Sequence, residues 1–531
     1  LLFVSLQLYT MSQTQPLLQN NDGLFVVKNL RFTNTIINNE QIPVPIKDAK
    51  FGILNLRAIS APISVEIHDL VFMIDCSASM SDACSDGRTK MHHIIHTLKN
   101  MILYFKENPD IKNHITINCF DEKIYNIIER CSVTSQNYKD IITKIDEILP
   151  RNGTNIELAL QHIKETVDEI KMSFPQHNIC TIFMTDGDVT VGNGDANTLA
   201  TLVDHTITNA FIGFGMQHDA VLLNTISSGD NSAYYFIDKL ENSGYVYGEI
   251  LHDIVYRLLK NIQINVENGF IYDFKKNIWA HSLSIGEIVS EANKIYHICS
   301  NNSDECLVNI KATSVHSASD VCMTIVNEES DEDLSKYHYR QRTLQHLFIV
   351  KDFLKRKRDE NRVVHSLFEY LENNVDKTLQ KDRTEIQEKL THFIKEMKQF
   401  MTENNLNEDK IMKQLCDDIY ICYQMFDTKF GDIYVSARLT SQGTQRCYTA
   451  CHTPCKEDTD DDRENNIMKP LRPVLKRGRN RSIIGLPPPL MHNVSNITDA
   501  PYLTPSSAKI MHEISGNCDL CFESGSETPM P

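Results

Sequence analysis

The sequence is short of positive charge. Its 531 residues carry 53 Lys+Arg against 70 Asp+Glu, a formal net charge of −17. Nucleic-acid binding draws on lysines and arginines that neutralise phosphates, so this balance argues against it. It argues equally against adsorption to an anionic membrane surface. Long apolar runs are also missing: no stretch reaches the ~20 residues that span a bilayer. Residues 1–10 are apolar, but they lack a basic n-region and a small-residue cleavage site, so they do not read as a signal peptide. The first methionine is Met11, and residues 1–10 are expected to lie upstream of the true start. No HExxH, P-loop, Gly-x-Ser-x-Gly elbow or Cys–His signature occurs, and no general base stands near His92, His93 and His96. No internal repeat of about 20–50 residues is found. These absences point away from an enzyme. Hydrophobic residues make up 41%, slightly below the globular norm, so part of the chain is expected to build no core.

Cysteine, by contrast, is plentiful. There are 15, and Cys119, Cys180 and Cys322 sit inside apolar strand-like runs, where a free thiol behaves as a small buried hydrophobe. The odd count and scattered spacing favour a reducing, intracellular setting, hence the cytoplasm. Triplets such as Asn493-Val-Ser are then unused as glycosylation sites.

Residues 1–23 read as a disordered lead. Residues 24–68 carry three strand-like runs, LFVVKNL, AKFGILNL and RAISAPISVEI. From 69 to 260 strand and helix patterns alternate. DLVFMIDCS is a buried strand. The following helix places Met91, Ile94, Ile95, Leu98 and Ile102 on one face. ITINCF and KIYNIIERC form a hairpin about Asp121-Glu122. Residues 155–172 are a helix, NICTIFMTD, TITNAFIGFG and SAYYFID are strands, and 242–261 is a closing helix. This alternation predicts an α/β unit with a largely parallel sheet covered on both faces. Residues 262–328 return to strands, with IQINVEN, KIYHICS, CLVNIKA and DVCMTIV. The economical arrangement pairs 24–68 with 262–328 as one β-sandwich and inserts the α/β domain into it. Residues 334–430 are helical: Ile386, Leu390, Phe393, Met397 and Met401 share a face, as do Ile411, Leu415, Ile419 and Met425. A bundle of three or four helices is expected. From 432 to 531 the pattern dissolves into charge runs and proline-rich stretches and reads as mostly disordered.

The chemistry concentrates at the ends of two strands. VFMID ends at Asp75 and continues as Cys76-Ser77-Ala78-Ser79, a D-x-S-x-S run. Asn152-Gly153-Thr154 precedes a helix, and FMTDGD places Thr185, Asp186 and Gly187 at the end of the fourth strand. Ligands of open α/β sheets bind beyond the carboxy ends of strands, where strand order reverses. Asp75 and Asp186 would supply carboxylates there, and Ser77, Ser79 and Thr154 neutral hydroxyls. An all-oxygen set suits Mg²⁺, Mn²⁺ or Ca²⁺ and suits Zn²⁺ poorly. Two carboxylates balance a divalent ion, and neutral hydroxyls leave it open to one more anionic ligand. A partner's Asp or Glu could fill that position.

Asp75, Ser77, Ser79, Thr154 and Asp186, in this order and spacing, resemble the metal-ion-dependent adhesion site of the von Willebrand factor A family. The resemblance covers the whole α/β unit. It implies a Rossmann-like domain with sheet order 3-2-1-4-5-6 and an antiparallel hairpin strand at one edge. It implies that the two serines and Thr154 ligate the metal directly or nearly so, and the aspartates directly or through water. Ala78 and Asn152 stand where many members carry glycine. Neither removes a ligand oxygen, although Asn152 could narrow the approach to Thr154. The wider layout, including Ser-Gln-Gly-Thr-Gln-Arg at 441–446, is similar to intracellular members from large DNA viruses and to the non-RING part of plant ubiquitin ligases carrying this domain. No RING-type Cys/His array precedes the domain, so ligase activity is not implied.

Other features are weaker. His92, His93 and His96 lie on the first helix and read as a solvated face. Cys447, Cys451, His452 and Cys455, with the Cys518-x-x-Cys521 pair, read as free thiols or, alternatively, a zinc clip. Lys476-Arg477-Gly-Arg479-Asn-Arg481 reads as a solvated linker or an import patch. Asp75 invites comparison with an aspartyl nucleophile, but Ser77 stands where a second carboxylate would be needed. The expected function is non-enzymatic, metal-dependent binding of a protein partner that supplies Asp or Glu. The alternatives are a scaffold or adaptor of the ubiquitin system, or a structural virion component, acting through helices and tail.

Overall fold

The computed structural model describes residues 26–36, 46–84, 86–237, 243–328, 332–364, 372–426, 428, 430–447 and 500–516. Residues 1–23, Cys451, His452, Cys455, Cys518, Cys521 and the basic 476–481 run lie outside them. The first strands, β1 (Val26–Ile36) and β2 (Lys50–Ala58), are antiparallel, with Leu30 opposite Leu54. Residues 59–67, expected as a third strand, form none. Pro62 has no N–H for a ladder. Neighbouring donors are used elsewhere: Ala61 N–H on Ser290 Oγ at 2.7 Å and Ser64 N–H on the Val255 carbonyl at 2.8 Å. These bonds hold the way into the α/β domain beside the way out of it.

That domain is one six-stranded sheet. Its strands are β3 (His68–Asp75), β4 (Asn113–Phe120), β5 (Ile124–Cys131), β6 (Asn178–Thr185), β7 (Thr208–Phe214) and β8 (Ser232–Ile237). They lie in the order β5-β4-β3-β6-β7-β8, and only β5 is antiparallel to its neighbour. This is the order 3-2-1-4-5-6 expected from the sequence. Every residue of β3 is buried, because a central strand is covered on both faces. Alternation divides its side chains. Leu70, Phe72 and Ile74 join the core under α1 (Lys90–Glu107) and α2 (Tyr138–Asp146). Val71 and Met73 join the core under α3 (Ile156–Ser173), α4 (Ala196–Ala200) and α5 (Ala220–Ile226).

The closing helix, α6 (Ser243–Val255), is shorter than the predicted 242–261. From Arg257 the chain is already strand β9 (Arg257–Glu267). Arg257 anchors the change of direction: its guanidinium donates to Asn178 Oδ1 at 2.6 Å and Thr208 Oγ1 at 2.7 Å, and pairs with Glu287 at 2.6 Å.

Five-stranded and four-stranded sheets make the sandwich. The remaining strands are β10 (Phe270–Asp273), β11 (Ile278–Ala280), β12 (Ser282–Val289), β13 (Asn293–Ser300), β14 (Leu307–Ser314) and β15 (Asp320–Val326). One sheet runs β1-β2-β13-β10-β11, the other β12-β9-β14-β15. Strands from before and after the inserted domain therefore share a sheet, β2 pairing with β13 along eight residues. Leu54, Leu56 and Ile298 of one sheet meet Ile264, Val308 and Ile310 of the other. Cys322, expected buried, is exposed: β15 alternates, and Cys322 falls on its outward face between Val321 and Met323.

The helices α7 (Ser335–Val364), α8 (Glu372–Glu403), α9 (Lys410–Met425) and α10 (Gly431–Thr444) follow. Leu390, Phe393, Met397, Leu415 and Ile419 are buried in one cluster with Phe51 and Tyr272 of the sandwich. Ile433 and Tyr434 of α10 instead close over the α/β sheet beside Tyr234 and Phe236. The expectation of little order from 432 is thus corrected twice, by α10 and by α11 (Pro505–Gly516). The helix α11 lies across α1 and α6 and buries Ile510, Met511 and Ile514 at 2% exposure or less. Burying three such side chains is worth several kcal/mol, at ~1.5–3 each. Among the described residues no helix is long and apolar enough to cross a membrane.

Candidate functional site

The carboxy ends of β3 and β6 lie side by side, because these two strands pair in parallel. The loops that leave them bring Asp75, Ser77, Ser79 and Asp186 into one bonded chain. Asp75 is fully buried. Its Oδ1 accepts from the Ser77 N–H at 2.8 Å, and its Oδ2 from the Thr185 hydroxyl at 2.6 Å. Ser77 Oγ lies 3.0 Å from Ser79 Oγ, which donates to Asp186 Oδ1 at 2.8 Å. Ser77 caps, and Ser79 lies within, a 3-10 turn, Ala78–Ser81, that begins two residues beyond the strand.

Thr154 arrives from a third loop. The Ala78 N–H donates to the Asn152 carbonyl at 2.8 Å, and the Arg151 N–H to the Cys76 carbonyl at 2.7 Å, lacing the two loops together. The Thr154 N–H bonds Thr190 Oγ1 at 2.7 Å. A Cβ placed on Gly187 would stand 3.8 Å from Thr154 Oγ1 and 3.9 Å from Ser79 Oγ, so both hydroxyls flank the same glycine. All five residues singled out in the sequence therefore converge. Asn152 does not cover Thr154: it is exposed, and its amide reaches toward Asp121 Oδ2 at 3.4 Å. Ala78 is exposed and Ser79 half-buried, so the site opens to solvent on the serine side.

Asp75 and Asp186 are both buried and repel one another. Burial, and then the like charge of Asp186, push the Asp75 carboxyl up to about 6, against the bonds from Thr185 and Ser77. With hydroxyls as the remaining donors, the set fits a hard divalent ion.

The structure adds roles that the sequence pattern does not carry. Thr185, placed by FMTDGD at the strand end, orients Asp75. Lys90, the first residue of α1, places Nζ 2.7 Å from Asp186 Oδ2 and 3.2 Å from Asp82 Oδ2. Of the three histidines expected on a solvated face, His93 is buried and lies 3.2 Å from Asp86. His92 instead completes the capping box with Thr89. Cys447 reaches the carbonyl of Tyr502 at 3.3 Å.

A second group stands at the opposite, amino end of the sheet. Asp69, His114 and His177 hold one ligand atom each within 4.8 Å of one another, a geometry that could take a metal ion. Arg130 already serves this cluster. It donates to Asp69 Oδ1 at 2.6 Å and Oδ2 at 3.2 Å, and its guanidinium stacks on Phe174 at 4.0 Å. His177 Nδ1 is 2.6 Å from Asp69 Oδ2. A fixed guanidinium neutralises Asp69 and repels an incoming cation. The all-oxygen site is the better metal candidate on these grounds.

Residues 69–253 match the family model of the von Willebrand factor type A domain. No curated protein matches the chain. Among solved structures, a von Willebrand factor type A protein from Catenulispora acidiphila is similar at 14% identity and TM-score 0.43, over 62% of this chain and 81% of that one. The ArnB paralog VWA2 from Sulfolobus acidocaldarius aligns at 13% identity and TM-score 0.44, over 79% of this chain and 98% of that one. Proximal thread matrix protein 1 from the mussel byssus, with a zinc-occupied MIDAS motif, aligns at 18% identity and TM-score 0.28, over 34% of this chain and 46% of that one.

Proposed function

From a von Willebrand factor type A domain at residues 69–253, we propose a non-enzymatic protein that binds a protein partner through a divalent metal. Domains of this type commonly mediate protein–protein interaction. Asp75, Ser77, Ser79, Thr154 and Asp186 would hold Mg²⁺, with Mn²⁺ or Ca²⁺ as substitutes. Bound there, the ion supplies a Lewis-acidic position for a carboxylate from outside. The partner contributes an Asp or Glu side chain, and the setting is intracellular.

The observation that carries this reading is the bonded run from Asp75 through Ser77 and Ser79 to Asp186, at an end of the sheet open to solvent. Asp75 and Asp186 carry the charge, while Thr185 and the Ser77 N–H hold Asp75 in place. The neutral serines add oxygen without further negative charge, so a bound ion keeps its attraction for an acidic group. The chain's net charge of −17 repels acidic partners at long range, so recognition relies on close contact and not on steering.

The test is co-purification of partners by wild type and Asp186→Ala, each in Mg²⁺ and in EDTA. Recovery in Mg²⁺ by wild type alone supports the reading. Equal recovery in all four arms sinks it.

A further inference from the structure

Lys90 touches the site without belonging to any ligand pattern. It opens α1, and Thr89 fixes its position as the N-cap, with Thr89 Oγ1 accepting from the His92 N–H at 3.2 Å. Its ammonium bridges two carboxylates of different exposure. Asp186 is 0% exposed and 2.7 Å away, whereas Asp82 is 55% exposed and 3.2 Å away. The lysine itself is 15% exposed. Asp186 Oδ1 accepts from Ser79, and Oδ2 is the oxygen that Lys90 holds.

We propose that Lys90 is a built-in competitor for the divalent ion: it holds Asp186 Oδ2 and withdraws to Asp82 when a metal takes that carboxylate. The inference rests on the metal reading of the site and names its regulation. Two observations carry it. The first is geometric: a lysine has a flexible four-carbon stem and needs only a short swing, because its second partner is already within bonding distance. The second is charge. Asp75, Asp82 and Asp186 together with Lys90 have a net charge of −2, so a divalent ion makes the cluster neutral with the lysine kept at Asp82. Arg130 at the other end of the sheet lacks this freedom, since it grips Asp69 with two nitrogens and stacks on Phe174. The consequence is a metal affinity lower than the ligand set alone would give, adjustable through Asp82 on the surface.

The test measures Mg²⁺ binding to the full chain by calorimetry for wild type, Lys90→Gln, Asp82→Asn, the double variant and Asp186→Ala. Losing a positive charge a few ångströms from the ion should tighten binding by Lys90→Gln at least ~10-fold. Losing the second partner should weaken binding by Asp82→Asn several-fold. That weakening should be clearly smaller in the Lys90→Gln background, where the lost carboxylate charge acts alone and no longer through Lys90. Lys90→Met decides the same comparison if the glutamine variant does not fold by circular dichroism. Binding by Lys90→Gln no tighter than wild type, with Asp186→Ala still abolishing it, overturns the role of Lys90 alone. So does an Asp82→Asn effect of equal size in both backgrounds. No binding by wild type or by Lys90→Gln overturns the metal reading, and this inference with it.

Discussion

Replacing Asp75 with asparagine should stabilise the protein above pH 6 when divalent ions are chelated, although it removes a carboxylate of the candidate site. Asp75 is fully buried, and burial followed by the charge of Asp186 raises its carboxyl from 3.8 to about 6. Between these values the folded protein holds a proton that the unfolded chain has lost. Stability therefore falls as pH rises from about 4 to about 6. Above that window the charged Asp75 costs about 3 kcal/mol, at 1.36 kcal/mol for each pH unit. Asparagine never ionises. It keeps an oxygen for the Ser77 N–H but cannot take the Thr185 proton on its amide nitrogen, which costs about 1 kcal/mol. The net gain is about 2 kcal/mol at pH 7.5. At pH 3, below both values, the variant should be less stable than wild type by about 1 kcal/mol, since Asp75 is then largely neutral in both states. Urea unfolding of both proteins in EDTA at the two pH values measures the difference. A variant less stable than wild type at pH 7.5 would mean that the buried charge of Asp75 carries no such cost. In Mg²⁺ the proposed site predicts the reverse order, because an ion bound only by wild type would stabilise wild type alone.

Three further outcomes follow from the packing. Gly248→Leu should lower the melting temperature and open residues 500–516 to protease, because a Cβ at Gly248 stands 2.6 Å from the Met511 Cα; the expected loss is about 3 kcal/mol or more, and an unchanged melting curve would rule out the close contact. Arg438→Met leaves Asp418 buried without the guanidinium that lies 2.6 Å away. The loss should be about 3–5 kcal/mol at pH 7.5. It should be smaller at pH 5, where Asp418, pushed up to about 6 by burial, takes a proton; equal losses at both pH values contradict this. His177→Ala should leave Mg²⁺ affinity within about twofold of wild type, whereas loss of binding would move the metal to the Asp69 cluster at the other end of the sheet.

The sheet was legible in the sequence because its strands are short apolar runs separated by helices of clear periodicity. VFMID reads as a central strand since it carries no polar face, and the Asp121-Glu122 turn marks the one antiparallel pair. The five site residues were legible because each sits at a strand end or before a helix, where local pattern and chemistry coincide. Local pattern misled where a tertiary partner takes the backbone. RAISAPISVEI has the composition of a strand, yet Ser290 and Val255 hold its N–H groups. It also misled at Cys322, where alternation was clear but the buried side was not.

The inserted α/β domain and the oxygen residues beyond β3 and β6 are written in the sequence, and the family resemblance carried the strand order. The domain and the oxygen residues depend on hydrophobic period and on residue type, which neighbours along the chain specify. Only the tertiary structure decided what surrounds that set. Lys90 meets Asp186 across 96 positions, and Asn100 meets Ile514 across 414. No local pattern encodes a contact at such separation, because it exists only after the sheet has brought distant loops to one edge and the far end of the chain has folded back over α6.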